Sequence, residues 1–546
     1  MTDQNNKSTS TNRAFINGKI LSMDDSNTVW EAIVVRDGQI VKTGNTDDIR
    51  ASLTDQDALI DLGGKTMLPG FIDAHGHFPG SGLLVITANL NSPPIGKMTT
   101  IGQVIDELKA KAAQVEKGKW VVGWGYDDTL IEEKRMLDRH DLDEVSKDHP
   151  VYISHVSGHI GAANSLGLEQ AGFTSDAPNP EGGVICRDSD SGEPNGILEE
   201  EATFAMSHLA MSFSSEEVVT MLQSAVDEYL SFGMTSAQSG LCDERRIVSL
   251  SMGSQIGQIP IRLMAWPDIK TSEKIIAGDL DTSSHNTDLF KIGAAKIIGD
   301  GSIQAYTAHL SQPYHVPFKG DAEYRGYPVT SREEMVSLVK KFHNAGMQIA
   351  IHGNGDATID DIIHSFSEAQ KENPREDARH IIIHCQTVRE DQLDEIKRLD
   401  LTPSFFSAHA YYWGERHRSI FLGPERADRM NPAKSALDKG IRFTIHVDTP
   451  ITPMRPLLLA WSAVNRLSTA GNVIGESERI SPIQALRAVT IDAAWQIFQE
   501  EKIGSIESGK MADLVILAEN PLENPVSMHE IEVLETIVGG ETVYKK

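Results

Sequence analysis

The middle of the chain alternates short, β-rich apolar runs with amphipathic stretches. The runs fall at 67–75, 235–239, 261–266, 292–298, 347–352, 381–385, 402–406 and 441–447. Between them, 331–345, 358–371, 390–399 and 424–439 read as helices with polar outer faces. Strands alternating with helices predict an α/β fold, and eight of them a (β/α)8 TIM barrel. One connection breaks the rhythm. About 160 residues separate the first run from the second, too many for a structureless loop. Residues 80–210 are therefore expected to form an inserted subdomain covering the barrel mouth.

The two ends follow a different grammar of short strands around glycine turns, at 14–41 and 512–544. Asn17-Gly18 and Asp37-Gly38 are hairpin-turn pairs, because glycine supplies the positive φ such turns need. Neither end holds enough apolar residues for a core of its own. Residues 1–67 and 500–546 are thus expected to combine into one small β-sandwich domain, leaving 68–499 for the barrel. Residues 1–12 are polar and read as disordered.

Composition narrows the partners. A formal charge of -28 argues against nucleic acid or an anionic membrane, both of which want a basic face. No apolar run approaches the roughly 18–20 residues of a membrane span. The first residues lack a basic-then-apolar signal pattern. Cys186, Cys242 and Cys385 are too scattered for a disulfide framework, so a reducing cytoplasm is the expected location.

The chemistry gathers where the runs end. The first closes on His75-Gly76-His77, and side chains two apart on a strand point the same way. Both imidazoles can therefore aim at one metal. The fourth run contains Lys296, the fifth ends in His352, the sixth in His384, and the eighth in His446-Val447-Asp448. Alone, His352 or His384 would read as a hydrogen-bonded core histidine. Together, five of eight runs bring ligand-type side chains to one rim, where barrel chemistry belongs. Lys296, flanked by Ala294, Ala295, Ile297 and Ile298, is costly in an apolar strand unless paired or modified.

These residues resemble the amidohydrolase superfamily, and within it the amidohydrolase-3 (YtcJ-like) family. The resemblance runs from Pro69-Gly70-Phe71-Ile72-Asp73-Ala74-His75-Gly76-His77 to Ser508-Gly509-Lys510-Met511-Ala512-Asp513-Leu514. Gly158-His159 with Asn164-Ser165, Lys296 with Asp300-Gly301-Ser302, Ile351-His352-Gly353-Asn354-Gly355-Asp356, and Val447-Asp448-Thr449-Pro450 also carry it. The stretch from Ser404 to Gly414 is similar to the subgroup that includes N-substituted formamide deformylase.

The resemblance implies a metal site and a reaction. Two divalent metal ions, zinc by preference, would bind His75 and His77 on one side and His352 and His384 on the other. A carboxylated Lys296 would bridge them. Asp448 would touch the first metal and carry protons while a bridging hydroxide attacks a non-peptide amide. Substrate-contact candidates are His159, Tyr126, His409 and Trp413, with Asp127 a less direct one. Asp73 reads as an orienter of the ligands, and His446 departs from the small residue expected there. The implied partner is a small-molecule amide, with a homodimer open. Ester, cyclic-amide or deaminase chemistry would use the same site, since fold and ligands do not separate these reactions. A non-catalytic scaffold would lack ligands, and here every position is filled.

Overall fold

The computed structural model describes residues 12–546; the reading of the first residues as disordered therefore lies, but for position 12, outside the described residues. The central apolar runs pair as parallel strands in two arcs. One joins Phe71–Ile72, Met234–Cys242, Arg262–Pro267 and Phe290–Ile292. The other joins Ala295–Ile298, Ile349–Gly353, Ile381–His384, Thr402–Phe405 and Thr444–Ile445. Most of these strand residues are buried, as continuous apolar runs in parallel sheets must be.

The arcs meet twice. Gly293 and Ala294 carry the chain from one to the other, with the Gly293 N–H donating to Ala265 O. At the opposite side Asp448 N donates to His75 O and His77 N to Thr449 O. Helices fill the connections. Arg332–Asn344 opens on a Ser331 cap with Glu333 and Glu334 in its first turn, and packs against Asp356–Glu372.

Three local expectations need correction. The helix expected over 424–439 is two, Pro424–Arg429 and Ala433–Asp438. Pro432 disfavours helical backbone in the residue before it, and Asn431 sits at φ 49°. The first apolar run also splits. Thr66–Pro69 pairs with Leu514–Leu517, whereas Phe71–Ile72 joins the parallel arc. Gly70 marks the break: a Cβ there would stand 2.1 Å from Thr235 Cγ2. Finally, Asn17-Gly18 closes no hairpin, because Arg13–Ile16 and Lys19–Leu21 lie in different sheets. Asp37-Gly38 does close one, between Ala32–Arg36 and Gln39–Gly44.

Both chain ends share one six-stranded sheet, ordered Glu541–Lys545, Val533–Val538, Leu514–Leu517, Thr66–Pro69, Lys19–Leu21, Val29–Trp30. A separate sheet orders Gln39–Gly44, Ala32–Arg36, Arg13–Ile16 and Ala58–Asp61, and its Phe15 and Ile33 pack with Leu514, Ile516 and Ile537 in a single apolar cluster. Between Ile72 and Met234 the chain builds another six-stranded sheet, from Ala88–Asn89 to Pro194–Glu200, with its own core around Leu90, Leu108 and Ile153. Among the described residues no helix is long and apolar enough to cross a membrane.

Leu514 is fully buried and pairs with Pro69, so it welds the two ends together. Leu514→Ala is expected to cost about 2–5 kcal/mol. The urea midpoint of the first unfolding transition reads this, and an unchanged midpoint would show that the seam adds no stability.

Candidate metal centre

Parallel pairing carries the ligand-type residues to neighbouring strand ends. His384 lies opposite Gly353 and His352 opposite Ile383, so their rings approach to 4.5 Å. Lys296, 2% exposed, projects from the adjacent strand with Nζ 3.4 Å from His75 Nε2. His75 Nε2 and His77 Nε2 each stand 3.5 Å from Asp448 Oδ1. His384 Nε2 is 3.8 Å from Asp448 Oδ2. The structure thus brings His75, His77, Lys296, His352, His384 and Asp448 to one rim.

The backbone bends to do so. His384 and Asp448 adopt φ 66° and 60°, a left-handed conformation that non-glycine residues hold only when their surroundings enforce it. Around Asp448 the enforcement comes from its own N–H on His75 O and from Val447 N, which donates to Asp73 Oδ1 at 3.1 Å. Asp73 therefore supports the backbone beside Asp448, and burial raises its pKa to about 8. Gly240 leaves room for the ring: a Cβ there would crowd His75 Cε1 at 3.0 Å. Trp266 stacks on His75 at 5.2 Å. Neither contact has a sequence signal, because both partners come from distant strands.

Burial, with Lys296 nearby, lowers His75 well below its usual pKa and His77 to about 3. Burial likewise depresses His352 and His384. Neutral imidazole is the form that ligates metals. Burial lowers Lys296 against the opposing pull of Asp448, and raises Asp448 against Lys296 and His159. Asp448 Oδ1 has no hydrogen-bond partner among the described residues. Atoms bound to one tetrahedral ion at about 2.0–2.1 Å stand roughly 3.3–3.4 Å apart. The 3.5 Å spacings of His75 and His77 from Asp448 match that edge, so these residues fit a divalent metal.

The expected substrate contacts separate into those at the rim and those away from it. His159 faces the rim, its ring 5.1 Å from His352 and its Nδ1 2.7 Å from Glu200 Oε2. Glu200 is fully buried at φ 49°, ψ -120°, a strained conformation that sequence reasoning missed. The His409 ring lies 6.3 Å from that of His384 and packs at a tilt against Phe406, 4.5 Å away. Trp413 touches His409 and lines a cavity of about 200 Å³ with Ser92, Val156, Tyr412 and Arg416. Tyr126 must be withdrawn from the set. It is fully buried in the inserted core, with its hydroxyl donating to Arg135 O at 2.6 Å. Asp127 lines the same cavity as Trp413, but its carboxylate is engaged there, accepting from Arg416 Nη1 at 2.6 Å.

Asp127 groups with Asp128 and His155 in a second cluster of ligand-type side chains. Ser157 N donates to His155 Nδ1 at 3.1 Å, which places the ring proton on Nε2, 3.3 Å from Asp128 Oδ1. His446 sits behind His384, with Nε2 3.1 Å from His384 Nδ1.

Residues 58–544 match the profile of the Amidohydrolase family. The chain is 28% identical to the YtcJ protein of Bacillus subtilis (strain 168), over 97% of this chain and 98% of that one. It is 27% identical to the N-substituted formamide deformylase of Arthrobacter pascens, with the same coverage. An uncharacterized metal-dependent hydrolase from Pyrococcus horikoshii OT3 shares the fold, with a TM-score of 0.74 and 24% identity over 94% of this chain and 98% of that one.

Burial opposes charge on His159, yet the carboxylates of Glu200, Asp300 and Asp448 together outweigh it and raise the imidazole pKa. Glu200 is the foremost of these anions, so removing its charge should lower the pKa. In metal-free Glu200→Gln, an NMR titration is expected to show His159 protonating at lower pH than in the parent; an unmoved midpoint would refute the pairing.

Proposed function

Since the chain belongs to the amidohydrolase family, a group of hydrolytic enzymes acting on C–N bonds, we propose that it cleaves a non-peptide amide of a small neutral molecule at the His75–Asp448 rim. The convergence of four histidines, a buried lysine and a carboxylate carries this reading. It fits a (β/α)8 barrel closed where Asp448 meets His75, with residues 1–67 and 500–546 as a β-sandwich domain and 80–210 over the mouth. Such barrels keep their chemistry at the C-terminal ends of the strands.

His75 and His77 would hold one divalent ion, and His352 and His384 a second, zinc suiting this mixed nitrogen and oxygen set. When bound, such ions polarise the scissile carbonyl and acidify water. Burial favours the neutral amine of Lys296, the form able to take up carbon dioxide as a carbamate. That modification would turn a buried cation into an anionic oxygen ligand between the two histidine pairs. Asp448, with Oδ1 facing His75 and His77, accepts the proton of the attacking water and returns it to the leaving nitrogen. With Nδ1 committed to Glu200, His159 keeps Nε2 to orient the amide oxygen beside His352.

The likeness to the Arthrobacter pascens deformylase favours an N-substituted formamide, with the formyl group at the rim and the N-substituent toward His409 and Trp413. So acidic a chain is poorly suited to nucleic acid or an anionic membrane, and a cytoplasmic enzyme, alone or as a homodimer, suits three free buried cysteines. Esters, cyclic amides and aminated rings are the competing substrates of the same site.

A panel of formamides, larger amides, esters and aminopurines, read by liberated amine, acid or ammonia, tests the reaction; turnover confined to esters would overturn amide cleavage. Protein prepared without chelator is expected to carry close to two divalent metals per chain by elemental analysis. Less than one, with activity surviving chelation, would sink the metal assignment. Lys296→Ala should lose metal and turnover together. Asp448→Asn keeps the shape but removes the basic oxygen, so turnover should fall at least about 10²-fold. Near-normal rates would move the proton to another group.

A further inference from the structure

His446 lies among the metal-ligand candidates, grouped with His384 and Asp448 within 4.8 Å, and its side chain is fully buried. Whether it is a ligand is decided by the groups behind it. They form a continuous file: Gln496, Thr444, Ser404, His446, His384. Gln496, Thr444, Ser404 and His446 are inaccessible to solvent and His384 nearly so, so each proton in the file must be placed by a neighbour in it.

The placement starts at Gln496, at the end of the Ile491–Gln496 helix. Its Nε2 donates to Ala74 O at 2.8 Å, a carbonyl that can only accept. The amide orientation is therefore set, and Oε1 faces Thr444 Oγ1 at 2.6 Å. Oε1 has no hydrogen, so the Thr444 hydroxyl must donate to it. Thr444 then has no proton left for Ser404 Oγ, 2.8 Å away, and Ser404 must donate to Thr444. Ser404 in turn can only accept from His446 Nδ1, at 3.0 Å. His446 thus carries its proton on Nδ1.

A second proton on His446 would create an imidazolium with no carboxylate in hydrogen-bond range, a costly buried charge. Its Nε2 is therefore a lone pair, which must accept from His384 Nδ1 at 3.1 Å. That leaves the His384 Nε2 lone pair facing the rim, 3.8 Å from Asp448 Oδ2.

We propose that Gln496, Thr444, Ser404 and His446 form a one-way hydrogen-bond relay that locks His384 with its Nε2 lone pair directed at the metal site. His446 is then a positioning residue and not a ligand, since both its nitrogens are engaged within the relay. Because Gln496 also holds the carbonyl of Ala74, next to His75, one amide ties the two histidine pairs to a common frame. Partners behind ligating histidines typically change metal affinity ten- to a hundredfold.

This inference rests on the metal reading, and its test separates the two. Zn²⁺ and Co²⁺ affinities are measured by chelator competition on the full-length protein and its variants, with circular dichroism to confirm folding. Thr444→Val and Ser404→Ala should each weaken binding by roughly ten- to a hundredfold, and the double variant no more than Ser404→Ala alone. His446→Gln, which can still accept from His384, should retain metal far better than His446→Leu. Unchanged affinity in Thr444→Val and Ser404→Ala, additive losses, or equal loss in both His446 variants would overturn the relay. Histidine nitrogen spectra of the metal-free parent decide independently. Nδ1–H at both His384 and His446 supports the relay, and Nε2–H at either refutes it, even if no variant folds. A parent that binds neither ion would defeat the metal reading and leave the spectra to judge the relay.

Discussion

The Asp448 carboxylate is the constraint around which this protein is organised. It faces His75, His77 and His384, and among the described residues its Oδ1 has no hydrogen-bond donor. Burying such a group is costly unless a charge compensates it. Lys296 and His159 supply part of that compensation, and a bound cation would supply more. The positive φ at Asp448 and His384 has a related origin. Strained backbone persists where packing over-determines it, and here Asp73, Trp266 and Gly240 hold the neighbouring histidines and strand end.

The inserted sheet brings a further side chain to that rim. It delivers His159 from beside the Ile160–Ala163 strand and holds it with Glu200 from the end of Pro194–Glu200. Gly301 makes room for this: a Cβ there would meet Glu200 Oε1 at 2.0 Å. Arg416, in the helix that follows the Thr402–Phe405 strand, reaches back to Asp127 of the insertion. An ion pair between buried Asp127 and half-buried Arg416 ties the insertion to the segment bearing His409 and Trp413, so the two walls of the cavity are held in register.

Much of this arrangement is legible in the chain because the relevant patterns are local. Continuous apolar runs mark buried parallel strands whatever their partners. A ligand-type residue at the end of each run needs only the strand period to be recognised, which is why His75, His77, His352 and His384 stand out. Lys296 stands out by contrast with its apolar neighbours. Periodicity overextends the helix over 424–439 because the amphipathic pattern continues through Asn431 and Pro432, although the proline itself marks the break. Tyr126, a candidate contact in the stretch Gly123-Trp124-Gly125-Tyr126-Asp127, instead ends a buried core strand.

The alternation of strands and helices, the long insertion, and the set of side chains able to bind metal are all written in the order of residues along the chain. Each depends on neighbours close together in sequence. Packing in three dimensions settles the rest: which nitrogen of each histidine faces the rim, which carboxylate is strained against His159, and where the first apolar run divides between two sheets. Those outcomes depend on partners hundreds of positions apart, such as Gln496 with Ala74 and Asp448 with His75. Hydrogen-bond direction and burial are properties of the packed surroundings, and no periodicity along the chain encodes them.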